Sequence, residues 1–127
     1  MNGKSYREAQ KKAHEIMAAA GIVLTEKEAR DIEVADFGLD RLAEIGLQLV
    51  VYVNTERVCA KELVLFPNQS CPEHRHPMVN AEPGKEETFR CRWGQVYLYI
   101  PGVPVPHPKA IVPDDKKDIQ RITRIEA

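Results

Sequence analysis

Leu47-Gln48-Leu49-Val50-Val51-Tyr52-Val53 is an apolar, largely β-branched run closed by the polar triplet Asn54-Thr55-Glu56. Residues of this kind pack well on a pleated surface, and such a run ending in a short polar turn predicts a strand entering a hairpin. The return strand is predicted from Val58 to Phe66, with Pro67-Asn68 ending it. A third β region is predicted from Thr88 to Ile100, bent at Gly94. Adjacent strands joined by short turns lack the crossover helices of a doubly wound sheet. They predict a mainly β chain, an antiparallel barrel or sandwich.

Upstream the periodicity changes. Ala9, Ala13, Ile16, Met17 and Ala20 recur at helical spacing, with Lys11, Lys12 and Glu15 between them, which predicts a helix over residues 5–20. Ser5 with Glu8 fits a capping box and Gly21 a C-terminal cap; Thr25 with Glu28 fits a second box opening a short helix. Downstream, all nine prolines lie between Pro67 and Pro113. Five of them fall in residues 101–113, which predicts an irregular connection, because proline removes a backbone donor. In the charged tail Ile119, Ile122 and Ile125 are spaced for a short helix. The expected organisation is one domain over residues 1–127: a helical segment to 35, barrel strands and loops over 47–113, and a divergent tail from 114.

Composition narrows the function classes. The chain has 127 residues and a net charge of −1, so nothing predicts general affinity for nucleic acid or an anionic membrane. No apolar run is long enough to span a bilayer, and the start reads as a polar helix rather than a signal peptide. Three cysteines, an odd number, predict reduced thiols and a cytoplasmic location.

The chemistry gathers in Cys71-Pro72-Glu73-His74-Arg75-His76-Pro77. Histidines at i and i+2 of an extended chain point to one side, so His74 and His76 can reach one metal ion. Farther on, Glu87, Phe89, Cys91 and Trp93 alternate onto one face and Thr88, Arg90 and Arg92 onto the other. The first face is the more apolar and is expected to point inward. That sets the Glu87 carboxylate among buried side chains, where it needs a cation or a partner. Glu86, of opposite parity, is the competing ligand, and a solvated Glu87 at the mouth of the barrel is the plain structural alternative. Two imidazoles and a carboxylate suit Mn, Fe, Co, Ni or Zn.

The spacing then resembles a family pattern. His74-x-His76, then Glu87, then six residues, then Gly94 is similar to the first motif of the cupins, with a longer gap between histidine and glutamate than most of them have. The wider string runs Pro67-x-Gln69-x-Cys71-Pro72-Glu73-His74-Arg75-His76-Pro77, then Pro83-Gly84-Lys85-Glu86-Glu87-Thr88-Phe89-Arg90-Cys91-Arg92-Trp93-Gly94-x-Val96-Tyr97-Leu98-Tyr99. It resembles the D-lyxose isomerase branch, as do Asp36-Phe37-Gly38-Leu39 and Val51 to Arg57, over roughly residues 30 to 113. The resemblance implies a cupin β-barrel, a double-stranded β-helix, holding a divalent ion. Mn²⁺ is the first expectation, with Co²⁺, Zn²⁺ and Fe²⁺ as alternatives. His74, His76 and Glu87 match three of the family's four protein ligands. Lys85 matches a lysine that contacts substrate, where it would take part in catalysis by placing positive charge near a sugar oxygen. The implied reaction interconverts D-lyxose and D-xylulose through an enediolate.

The chain departs from the pattern at its end. The family's fourth ligand, a histidine, and a candidate catalytic carboxylate lie on a later strand, and after Pro113 the match fades. His107, among prolines, is the one later histidine, and a surface loop is the expected place for it. The expectation is a shortened member with an incomplete barrel. Its open edges make a homodimer plausible. Two further readings follow: a non-catalytic remnant that binds metal or sugar, and an iron-dependent cupin oxygenase. Cys91 is expected in the core, Cys71 has no C-x-x-C partner for a zinc knuckle, Tyr97 and Tyr99 are expected to pack, Lys61 is ambiguous, and His14 is expected to be solvated.

Overall fold

The computed structural model describes residues 1–74 and 76–119. It divides into two compact units, one spanning Met1–Cys71 and one beginning at Pro72.

In the first unit, helix α1 spans Gly3–Ala19. It begins earlier than the Ser5 box predicts, because Asn2 supplies the cap: its side-chain oxygen accepts from the amides of Lys4 at 3.0 Å and Ser5 at 2.9 Å. That carboxamide satisfies two of the amides a helix start leaves without partners. The Ser5 hydroxyl, inside the first turn, donates to the same oxygen at 3.1 Å. The other end closes as expected. Gly21 takes the left-handed conformation, φ 73°, its amide bonding Ala18 O at 3.0 Å and that of Ile22 bonding Met17 O at 2.9 Å. Helix α2, Glu26–Arg30, opens on the predicted Thr25–Glu28 box.

Strands β1 (Glu33–Ala35), β2 (Leu47–Asn54) and β3 (Cys59–Val64) form one antiparallel sheet in the order β1-β2-β3. Leu49 sits opposite Glu33 on one side and Leu63 on the other. The β2–β3 register shifts between Val51 and Val53. Beyond Asn54, the Thr55 amide bonds Val58 O at 2.8 Å, and its hydroxyl oxygen accepts from Val58 N at 3.1 Å.

Ala9, Ala13 and Met17 lie four residues apart on one stripe of α1 and bury against Ile32, Val50, Val64 and Phe66, with Leu24 and Val34 packed beside them. The helix also covers the outer side of β1. The Tyr6 hydroxyl donates to Ile32 O at 3.3 Å and accepts from Val34 N at 3.2 Å, and Gln10 Nε2 donates to Arg30 O and Ile32 O at 2.9 and 2.8 Å. Backbone groups that an edge strand would leave open are satisfied in this way.

Among the described residues the sheet stops at three strands and does not close into a barrel. Thr88–Ile100 keeps its alternating sequence but joins no ladder among the described residues. A strand needs a partner with free amides, and the neighbouring stretches of this unit are interrupted by Pro72, Pro77, Pro83, Pro101 and Pro104. The bend at Gly94 is present, with φ 76°. Residues 101–113 are irregular, as predicted, and Asp114–Ile119 forms a short 3-10 segment. The helix expected across Ile119, Ile122 and Ile125 falls largely outside the described residues. Among the described residues no helix is long and apolar enough to cross a membrane.

Candidate metal centre

In the unit beginning at Pro72, a tight turn brings the candidate ligands together. Val79 and Glu82 exchange both backbone hydrogen bonds, at 3.1 and 2.9 Å. Between them Asn80 and Ala81 both have positive φ, 51° and 64°. Two consecutive left-handed residues make the mirror-image turn whose twist suits antiparallel chains. The limb after the turn therefore runs back beside the limb before it, and Glu87 returns to the two histidines.

His74, His76 and Glu87 each offer a ligand atom, and these atoms lie within 4.8 Å of one another. His76 Nε2 is 2.9 Å from Glu87 Oε1. The two imidazole rings stand nearly perpendicular, centroids 5.5 Å apart. His74 Nδ1 lies 3.1 Å from Pro72 O; a carbonyl oxygen can only accept, so the tautomer that makes this bond carries its proton on Nδ1 and turns Nε2 toward a cation. A backbone carbonyl holding the far nitrogen is the usual way a metal-binding imidazole is oriented. The donor set fits a divalent cation of hard-to-borderline character, since it combines two neutral nitrogens and one carboxylate. All three residues are exposed, so water has access to the remaining side of the group.

The route to this cluster differs from the one the sequence predicts. Glu87, Phe89, Cys91 and Trp93 do not form an inward face: Phe89 is 46% and Trp93 56% exposed, and Cys91 is exposed too. Without a second layer to pack on, alternation alone buries nothing. Cys91 is thus not a core residue; its Sγ lies 3.6 Å from the carbonyl oxygens of both Trp93 and Gly94. Lys85 is exposed on the returning limb, two residues before Glu87, and Glu86 lies outside the cluster. His107 is exposed in the proline-rich segment and is also outside it. Tyr97 and Tyr99 meet that segment: the Tyr99 hydroxyl accepts from Ala110 N at 3.1 Å, and Lys109 Nζ lies 5.6 Å from the Tyr97 ring centroid. His14 is exposed on α1 and Lys61 on β3.

The sequence pattern does not predict two features: the turn at Asn80-Ala81 and the close packing of Gly84. Asn80, which tolerates left-handed backbone, and the Pro83-Gly84 pair were the available signals.

No family model matches the chain. It is 57% identical over 111 residues to a protein named D-lyxose ketol-isomerase from Thermofilum sp. (strain ex4484_79), covering 87% of this chain and 62% of that protein. A protein of the same name from Cohnella laeviribosi is 58% identical over 113 residues, 89% of this chain and 62% of the relative. One named D-lyxose/D-mannose isomerase, from Thermosediminibacter oceani, is 61% identical over 102 residues, 80% of this chain and 56% of the relative. The chain spans about three fifths of the length of the relatives it matches.

Proposed function

Since this chain is, over most of its length, a sequence relative of the D-lyxose isomerases, we propose that it acts as a cupin-type, metal-dependent aldose–ketose isomerase on D-lyxose and D-xylulose. The observation that carries the reading is the gathering of His74, His76 and Glu87 at one place. Those are the positions that the cupin pattern assigns to ligands.

An aldose and its ketose differ by one proton moved between C1 and C2. A divalent cation, Mn²⁺ in this proposal, would supply the positive charge that polarises the sugar carbonyl and stabilises the enediolate. His74 and His76 would hold it through imidazole nitrogen, His74 with its ring fixed by Pro72 O. Glu87 would hold it through carboxylate oxygen and offset part of its charge. The exposed Lys85 ammonium would contact a sugar oxygen. Proton transfer needs a base other than the three ligands, whose donor atoms would be engaged by the cation.

The test is to strip the purified protein of metal, add Mn²⁺ and D-lyxose, and measure D-xylulose. Formation of D-xylulose that depends on Mn²⁺ supports the proposal. A folded, Mn²⁺-loaded sample without turnover overturns it and leaves a chain that binds metal or sugar without catalysis.

A further inference from the structure

Gly84 sits where no side chain fits. A Cβ built on it would fall on the carbonyl oxygen of His76, 2.8 Å from the His76 carbonyl carbon and 3.3 Å from Pro77 O. The obstructing atoms are backbone, and Pro77 restrains His76 as well as fixing its own φ. They cannot swing aside as the end of a flexible side chain can. Gly102 of the same unit is different: a Cβ there would meet nothing within 4 Å.

The place of this contact matters. Gly84 follows the Val79–Glu82 turn by two residues and precedes Glu87 by three. It rests on the main chain of His76, whose imidazole is the one 2.9 Å from Glu87. The close approach and the ligand pair therefore join the same two limbs. Any side chain at 84 must push the limbs apart, and the distance between Glu87 and His76 opens with them.

We propose that Gly84 is a positioning residue for the His74–His76–Glu87 cluster: the lack of a side chain lets its limb lie on the His76–Pro77 peptide and so sets Glu87 against His76. The proposal rests on the reading of that cluster as a cation site. Gly84 offers no ligand atom: it meets only the backbone of His76 and Pro77 and acts by setting Glu87 against the His76 imidazole.

The experiment uses the full chain and Mn²⁺ alone, with free Mn²⁺ read from its electron paramagnetic resonance signal. Fluorescence of Trp93, the chain's one tryptophan, monitors the unit that holds the cluster. Gly84→Ala is expected to weaken Mn²⁺ binding by about tenfold or more, the usual effect of disturbing a ligand's support. Gly102→Ala is expected to bind as the wild type does. In the double variant Gly84→Ala/Glu87→Gln, affinity should fall no lower than in Glu87→Gln alone, because both changes remove the same contact. Wild-type affinity in Gly84→Ala, or losses that add in the double variant, would overturn the proposal. If Glu87→Gln binds as tightly as wild type, the cation-site reading fails and the inference falls with it. If Glu87→Gln is weak while Gly84→Ala is not, the inference alone fails. Should Gly84→Ala lose its fold, wild-type protein still decides the matter: a proton–proton Overhauser contact between Gly84 and the His76–Pro77 pair is expected, and its absence overturns the proposal.

Discussion

Gln48, second residue of β2, is fully buried, and among the described residues neither its Oε1 nor its Nε2 has a hydrogen-bond partner. An unsatisfied buried amide costs about 1–3 kcal/mol, and an apolar group of the same shape avoids that cost. Gln48→Met, an unbranched match in size, should therefore raise stability by about 1–2 kcal/mol. An unfolding midpoint in urea lower than the wild type's would contradict this. The sequence carries no warning of Gln48, since strand alternation places it inward without saying whether its amide is met. At the candidate site the choice between adjacent carboxylates is equally sharp. Glu87→Ala should lower Mn²⁺ affinity markedly and Glu86→Ala should leave it near wild type, because only Glu87 stands in the cluster. Equal affinities by titration would refute the assignment. The parity of the sequence selects Glu87 over Glu86, but it does so by assuming a buried face. The three donors instead converge on exposed chain, brought there by a turn.

Among the elements, the legible ones are those whose ends and faces are written in local residues. The four-residue recurrence of Ala9, Ala13 and Met17 and the apolar run from Leu47 are examples. Strand β1 is three residues long and leaves no period to detect, and the Thr88–Ile100 region has the pattern of a strand without a partner. The Thr25–Glu28 box is legible and also makes a pH prediction. The Thr25 backbone amide, and then its hydroxyl, hold the Glu28 carboxyl below its ordinary value of 4.5. A carboxylate favoured in the folded state stabilises above its unfolded pKa, and that contribution is lost as pH falls through the lower folded value. Wild type should therefore exceed Glu28→Gln in stability at pH 7 and lose that advantage progressively as the pH falls below 4.5 and through the lower folded value, as followed by thermal melts. An advantage that persists unchanged at pH 3 would show that the charge is not its source. At the other turn, Ala81 holds φ 64° without the freedom of glycine. Ala81→Gly creates the Asn-Gly pair favoured in such turns and should stabilise by about 0.5–1 kcal/mol. Mn²⁺ affinity should not fall, and a weakened site would show that the turn's stiffness matters more than its strain.

For the molecule as a whole, burial is uneven. The core cluster of Ala9, Ala13, Met17, Ile32, Val50, Val64 and Phe66 lies entirely before Pro72. Met17, 1% exposed, is among its largest fully buried side chains. Met17→Ala should cost about 2–5 kcal/mol, a large share of what a unit of this size has, and the helical circular dichroism should melt many degrees lower. A shift of only a degree or two would mean that the site collapses around the loss.

The turn at Asn80-Ala81 has a further consequence, in time rather than in space. Amides within α1 and the β2–β3 ladder can exchange with deuterated solvent only when that framework opens, which makes them slow. Those from Lys85 to Ile100 belong to no ladder among the described residues and should exchange within seconds. Val79 and Glu82 form an isolated pair of protected amides just ahead of that fast stretch. A cation gripping His74, His76 and Glu87 would tether the two limbs on either side of that pair. Protection should then spread outward from the turn, making the isotope clock itself a gauge of occupancy.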